Sequence, residues 1–125
     1  MTYNIVVIQI LRLEGDGMVF QVGSALLDAC ILSLLSQKDA YGYVLTQNVK
    51  DILSVSESTL YPVLRRLQNE KYLTAYDMPF DGRNRRYYQI TDLGAERLRE
   101  YVREWAEYKE TIDKLLSGGV ISEQA

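Results

Sequence analysis

The hydrophobic pattern changes period several times along the chain, and each change marks an element. From Gly23 to Gln37 apolar residues stand on nearly every side of a helical projection: Ala25, Leu26, Leu27, Ala29, Cys30, Ile31, Leu32, Leu34 and Leu35. A helix apolar all round is one buried all round. In a small domain that needs either a central position or a partner chain. Asp39 reads as the N-cap of a second helix, from Ala40 to about Leu53. Its stripe is Tyr41, Val44, Leu45, Val49, Ile52 and Leu53. The third helix lies in "LSVSESTLYPVLRRLQNEKYL", capped by Ser56 or Ser58. Leu60, Val63, Leu64 and Leu67 recur at helical spacing and form its buried face, while Ser58, Thr59, Tyr61, Arg65 and Gln68 point elsewhere. Pro62 lacks an N–H and crowds the carbonyl of Ser58. The helix is therefore expected to start close to Ser58 or to have a loosened first turn.

The period then falls to two. "YLTAYDMPF" and "RNRRYYQI" flank Asp81-Gly82 and read as a hairpin, because Asp-Gly is a favoured tight-turn pair. Alternation puts Arg86 and Tyr88 on one face and Arg85, Tyr87 and Gln89 on the other, so one of the two adjacent tyrosines belongs to the core. Thr91 is read as the cap of a long last helix. Along it Leu98, Trp105 and Ile112 stand seven apart, as do Tyr101, Tyr108 and Leu115. The two series interleave at spacings of three and four, as in an a/d seam. Gly118-Gly119 ends the helix. Three helices, a two-stranded wing and a long helix make a mainly α (α+β) protein, a winged helix-turn-helix with a C-terminal dimerisation helix. The expected organisation is an arm over 1–17, a winged domain over 18–91, the dimerisation helix over 92–117 and a flexible tail over 118–125.

Composition narrows the chemistry. The 125 residues suit a single domain, and 47% are apolar, enough for a modest core. Lys and Arg number 14 against 17 Asp and Glu, a net charge of −3, so any nucleic-acid surface has to be local. There is no His and one Cys. That excludes His-based catalysis, a Cys/His zinc site and an internal disulfide. Cys30, within "ALLDACILSLL", reads as a small buried hydrophobe. The lack of a disulfide fits a reducing, cytoplasmic setting. No nucleophile is paired with a base, so no enzyme, cofactor or metal is expected. Glu96, Glu100, Glu104 and Glu107 fit a solvated face alongside Arg97, Arg99 and Arg103. The first seventeen residues include "YNIVVIQILRL", β-prone but short of the roughly 20 residues a membrane span needs. They read as an extra strand, a loose arm, or a segment outside the native chain, with translation starting at Met18. N-terminal sequencing of the natural product checks the last reading, which a chain beginning at Thr2 rules out.

Two clusters suggest DNA. The second helix of a helix-turn-helix enters the major groove, N-terminal end first. Ser58, Thr59, Tyr61 and Arg65 supply hydroxyls and a cation there, able to meet phosphates and base edges. The plainer reading is an ordinary solvated face. Arg66, at the margin, reads as snorkelling. On the wing, Arg83, Arg85 and Arg86 place positive charge where a duplex backbone or minor groove can be met. The plainer readings are a solubilising cluster or protection of an edge strand. Trp105 is the only Trp. It reads equally as packing at a dimer interface, with Leu98, Ile112 and Leu115, or as one wall of a slot between two copies for a planar aromatic ligand, with Tyr101 and Tyr108 adding stacking surface.

Three motifs, in order and at suitable spacing, carry a resemblance: "YGYVL" at Tyr41–Leu45, "STLYPVLRRLQNEKYL" at Ser58–Leu73 and "GRNRRYYQITDLGAERL" at Gly82–Leu98. From about Val22 to Leu116 the chain resembles PadR-family transcriptional regulators, and its single last helix resembles the small subfamily. The resemblance implies a homodimer, with the last helix packed on the first helix of the partner. It also implies repression by promoter occupancy, often of efflux or stress genes, with release by an inducer. Some small members bind planar drugs between paired tryptophans, at the place in the helix where Trp105 falls. The expected function is therefore a homodimeric repressor on double-stranded DNA. A winged-helix module that binds protein instead is the alternative.

Overall fold

The computed structural model describes residues 23–119. The N-terminal arm, Met18 and the last six residues lie outside them. The elements are α1 (Ser24–Gln37), β1 (Ala40–Tyr41), α2 (Gly42–Leu53), α3 (Glu57–Asn69), β2 (Leu73–Phe80), β3 (Arg83–Ile90) and α4 (Asp92–Leu116). The strands form one antiparallel sheet in the order β1-β3-β2.

β1 was not legible in the hydrophobic pattern. Ala40 pairs with Tyr88 and Tyr41 with Tyr87. Those two residues are drawn to the open edge of β3, so α2 starts at Gly42 with Tyr41 as its N-cap. Asp39 is consequently no helix cap. Its carboxylate accepts hydrogen bonds from the Tyr76 hydroxyl (2.6 Å) and the Gln89 side-chain amide (3.3 Å), joining it to β2 and β3. Gly42 suits this corner, since a Cβ there would stand 2.9 Å from the Tyr88 ring.

β2 and β3 pair without interruption from Leu73–Ile90 to Phe80–Arg83. The turn consists of Asp81 and Gly82, with φ of 49° and 76°. Two successive positive φ values match the right-handed twist of the strands. The inner face carries Leu73 and Tyr88, both buried, with Ala75 and Ile90 packed against the core. Tyr88 is thus the core tyrosine of the pair, and Tyr87 faces outward.

The core sits where α1, α2, α3 and the inner sheet face meet, built from Leu27, Ile31, Leu32, Leu35, Leu45, Val49, Leu60, Leu64, Leu67 and Leu73. α2 buries only a narrow stripe, Gly42, Leu45, Thr46 and Val49. Val44 and Ile52, expected inside, are about half exposed, because α3 and the sheet flank α2 on one side alone. α1 is likewise buried on one side. Leu26 is exposed, and Ala29, Cys30 and Leu34 are half-buried.

Thr91 caps α4. Its hydroxyl accepts from the Gly94 N–H (2.9 Å) and donates to the Lys71 carbonyl (2.7 Å), which ties the helix start to the turn before β2. The helix is 25 residues long, about 38 Å at 1.5 Å per residue. It closes with Gly118 at φ 85°, where Gly119 N–H reaches the Lys114 carbonyl (2.8 Å) and Gly118 N–H that of Leu115 (3.2 Å). That paired closure is the left-handed C-terminal cap for which glycine is suited.

Candidate nucleic-acid interface

Helix α3 separates its two faces cleanly. Leu60, Val63, Leu64 and Leu67 are buried, and Ser58, Thr59, Tyr61 and Arg65 are exposed. The helix begins at Glu57 with Ser56 as N-cap. Its first turn is shared, since Thr59 N–H (3.1 Å) and Leu60 N–H (3.2 Å) both reach the Ser56 carbonyl. Pro62 lies inside the helix and donates nothing to the Ser58 carbonyl. The Ser56 hydroxyl lies 2.9 Å from that of Ser58 and 3.0 Å from that of Thr59. Three hydroxyls therefore cluster at the positive end of the helix dipole, where an anion is favoured. Gln47 of α2 holds the start of α3 by donating to the Glu57 carboxylate. Arg65, further along the open face, forms no ion pair among the described residues.

The three wing arginines differ in what holds them. Arg83 follows the turn and is exposed, with no ion pair among the described residues. Arg86 projects from the same face as Tyr88, and its Nε stands 3.8 Å from an Asp77 carboxylate oxygen. Arg85 is held between rings on the outer sheet face, its guanidinium carbon 3.6 Å from the Phe80 centroid and 4.6 Å from that of Tyr41. Stacking leaves the in-plane N–H groups of an arginine free to donate, and it restricts the side chain beforehand. Tyr76 stacks on Tyr87 at 5.7 Å and Tyr41 lies 5.8 Å from Tyr87, so the strip beneath Arg85 is itself braced. The roles of Tyr41 and Phe80 could not be read from the sequence, because they come from different strands.

On α4, Leu98 and Tyr101 pack against the core of their own chain. Beyond them Val102, Trp105, Tyr108, Leu115 and Leu116 are exposed, and Ile112 is half-buried. The Trp105 and Tyr108 rings stand 6.2 Å apart. Burial raises the Cys30 thiol above its ordinary value, which leaves it a poor nucleophile. Among the described residues there is no cluster of metal-ligating side chains, and no helix is long and apolar enough to cross a membrane.

The chain is similar to several known proteins. A solved structure from Streptococcus mutans superposes with a TM-score of 0.77 at 40% identity, covering 85% of this chain and 100% of its own. A PadR-like transcriptional regulator from Bacillus cereus gives 0.67 at 38% identity, covering 74% and 92%. An uncharacterized protein of Lysinibacillus sphaericus is 43% identical over 98 residues, 74% of this chain and 89% of that one. Residues 31–100, from the middle of α1 into α4, match the transcriptional regulator PadR-like family, and the chain belongs to that family.

Proposed function

We propose that the protein is a homodimeric transcriptional repressor. Each subunit would place α3 and its wing on one half-site of a roughly palindromic operator, half-sites about one helical turn apart. The observation that carries this reading is the exposed face of α3, with Ser58, Thr59, Tyr61 and Arg65 open to solvent while the opposite face is fully packed. Arg83 and Arg85 on the wing add cations that no carboxylate among the described residues neutralises. Binding measured by fluorescence anisotropy to the DNA upstream of its own gene tests the reading. Absence of any shift over non-specific duplex would overturn it.

A second subunit would cover the apolar surface that α4 and α1 leave open. Val102, Trp105, Tyr108, Leu115 and Leu116 on α4, and Leu26 on α1, are large apolar side chains exposed to solvent, and clustered apolar surface of this kind marks an interaction site. In the dimer α4 would cover the half-exposed side of the partner's α1. Trp105→Glu is expected to weaken dimerisation at least tenfold, because it puts a charge into a desolvated seam, a cost of roughly 1.4 kcal/mol or more. Sedimentation velocity across a concentration series measures this, and an unchanged dimer constant would remove Trp105 from the interface.

The same seam supports release by ligand. Two copies of Trp105 across a two-fold axis, with Tyr108 beside each, would offer flat faces to a planar aromatic compound. As the sole Trp, Trp105 reports directly. Saturable quenching of its emission by planar aromatic cations is expected. The same quenching curve from tyrosine emission in Trp105→Ala would place the ligand elsewhere.

A further inference from the structure

Asp28 is an oddity among apolar neighbours. It lies in the second turn of α1 and is 5% exposed, beside Leu27, Ile31 and Leu32. Its two carboxylate oxygens are engaged from two other helices. Oδ1 accepts from Nη2 of Arg66 on α3, and Oδ2 accepts from the Tyr101 hydroxyl on α4 at 3.2 Å. The links continue outward on both sides. Arg66 Nη1 also meets Glu70 at 3.0 Å, and Arg97 lies 4.5 Å over the Tyr101 ring while pairing with Glu100 at 2.8 Å. Arg66 is therefore no snorkelling side chain. Asp28 raises its affinity for the proton, and burial followed by the Asp28 charge raises that of the Tyr101 hydroxyl.

Stability alone does not explain such a group. Burying a carboxylate is costly, and an apolar residue of similar volume often serves the core as well. What an apolar residue lacks is direction. Apolar contact is non-directional, so helices held by it alone can slide and rotate. A carboxylate gripped at one oxygen by α3 and at the other by α4 allows only a narrow range of mutual orientation. In a two-fold dimer joined through α4, the angle between α3 and α4 determines how far apart the two recognition helices stand.

We propose that Asp28 is a positioning residue that fixes α3 against α4 and thereby sets the half-site spacing the dimer accepts. This rests on the reading of a dimer on a two-part operator. The test uses duplexes from the DNA upstream of the gene, with one or two base pairs inserted at the centre of the protected region. The wild-type protein is expected to lose affinity at least tenfold with each insertion, since one base pair turns a half-site by about 34° and moves it about 3.4 Å. Asp28→Asn and Tyr101→Phe are expected to bind the natural duplex within a few-fold of wild type and to lose most of that discrimination. Tyr101→Phe removes a single hydroxyl, so it keeps the test decisive even where Asp28→Asn folds poorly. General destabilisation would weaken binding to every duplex alike and leave the ratio unchanged. Full wild-type discrimination in a folded variant, shown by circular dichroism, overturns the proposal alone. A wild-type protein indifferent to spacing overturns the two-half-site reading and this proposal with it.

Discussion

Gly94→Ala is expected to cost about 3 kcal/mol of folding stability, although alanine is the better helix former by about 1 kcal/mol. Gly94 occupies the first turn of α4 and is buried. A Cβ there would stand 2.2 Å from the Tyr72 carbonyl oxygen and 2.8 Å from Cγ1 of Ile90. The Ile90 side chain can give way, but the carbonyl is fixed. It accepts from the Thr91 N–H at 3.1 Å, and the N–H of Tyr72 is itself bound to the Leu67 carbonyl at 2.9 Å. Relief would require α4 to lift off the start of β2, breaking the Thr91 hydrogen bonds that anchor it. For a domain of this size the midpoint should fall by roughly 12–24 °C. A thermal melt followed by circular dichroism measures it. An unchanged or raised midpoint would show that α4 is not seated as described.

Replacing Arg83, Arg85 and Arg86 together by Ala is expected to weaken operator binding on the order of 10²-fold at 0.15 M salt and to flatten the dependence of log K on log salt. Removing one phosphate partner lowers the slope by about 0.9, and a dimer has two wings. The single variants should not be equal. Arg83 is exposed beside the turn, and Arg85 is stacked against Phe80 and Tyr41, neither forming an ion pair among the described residues. Arg86 stands 3.8 Å from Asp77, which offsets part of its field. Arg83→Ala and Arg85→Ala are therefore expected to cost more than Arg86→Ala. Anisotropy titrations across a salt series measure all four variants, and an unaltered slope in the triple variant would remove the wing from the interface.

Much of the architecture could be read from the chain because its signals are local. The Asp81-Gly82 pair specifies a two-residue turn through its positive φ values. The buried face of α3 follows from the spacing of Leu60, Val63, Leu64 and Leu67. Thr91 and Gly118-Gly119 mark the two ends of α4 by capping chemistry that involves only neighbouring residues. The candidate interface on α3 was legible for the same reason, since helical spacing alone separates Ser58, Thr59, Tyr61 and Arg65 from the core.

The tertiary structure decided what depends on partners distant in sequence. Ala40 and Tyr41 read as helix, yet the open edge of β3 makes them a strand. Val44 and Ile52 read as core, yet packing covers only one side of α2. Arg85 read as one of three wing cations, and only the sheet brings Phe80 and Tyr41 against it. Asp28 stood unnoticed among leucines until folding brought Arg66 and Tyr101 to it from 38 and 73 residues away. Spacing and capping act within a turn or two and are written in the order of residues. The distant pairings arise where burying apolar surface forces elements together, so sequence order alone determined the elements, and packing determined which side chains meet.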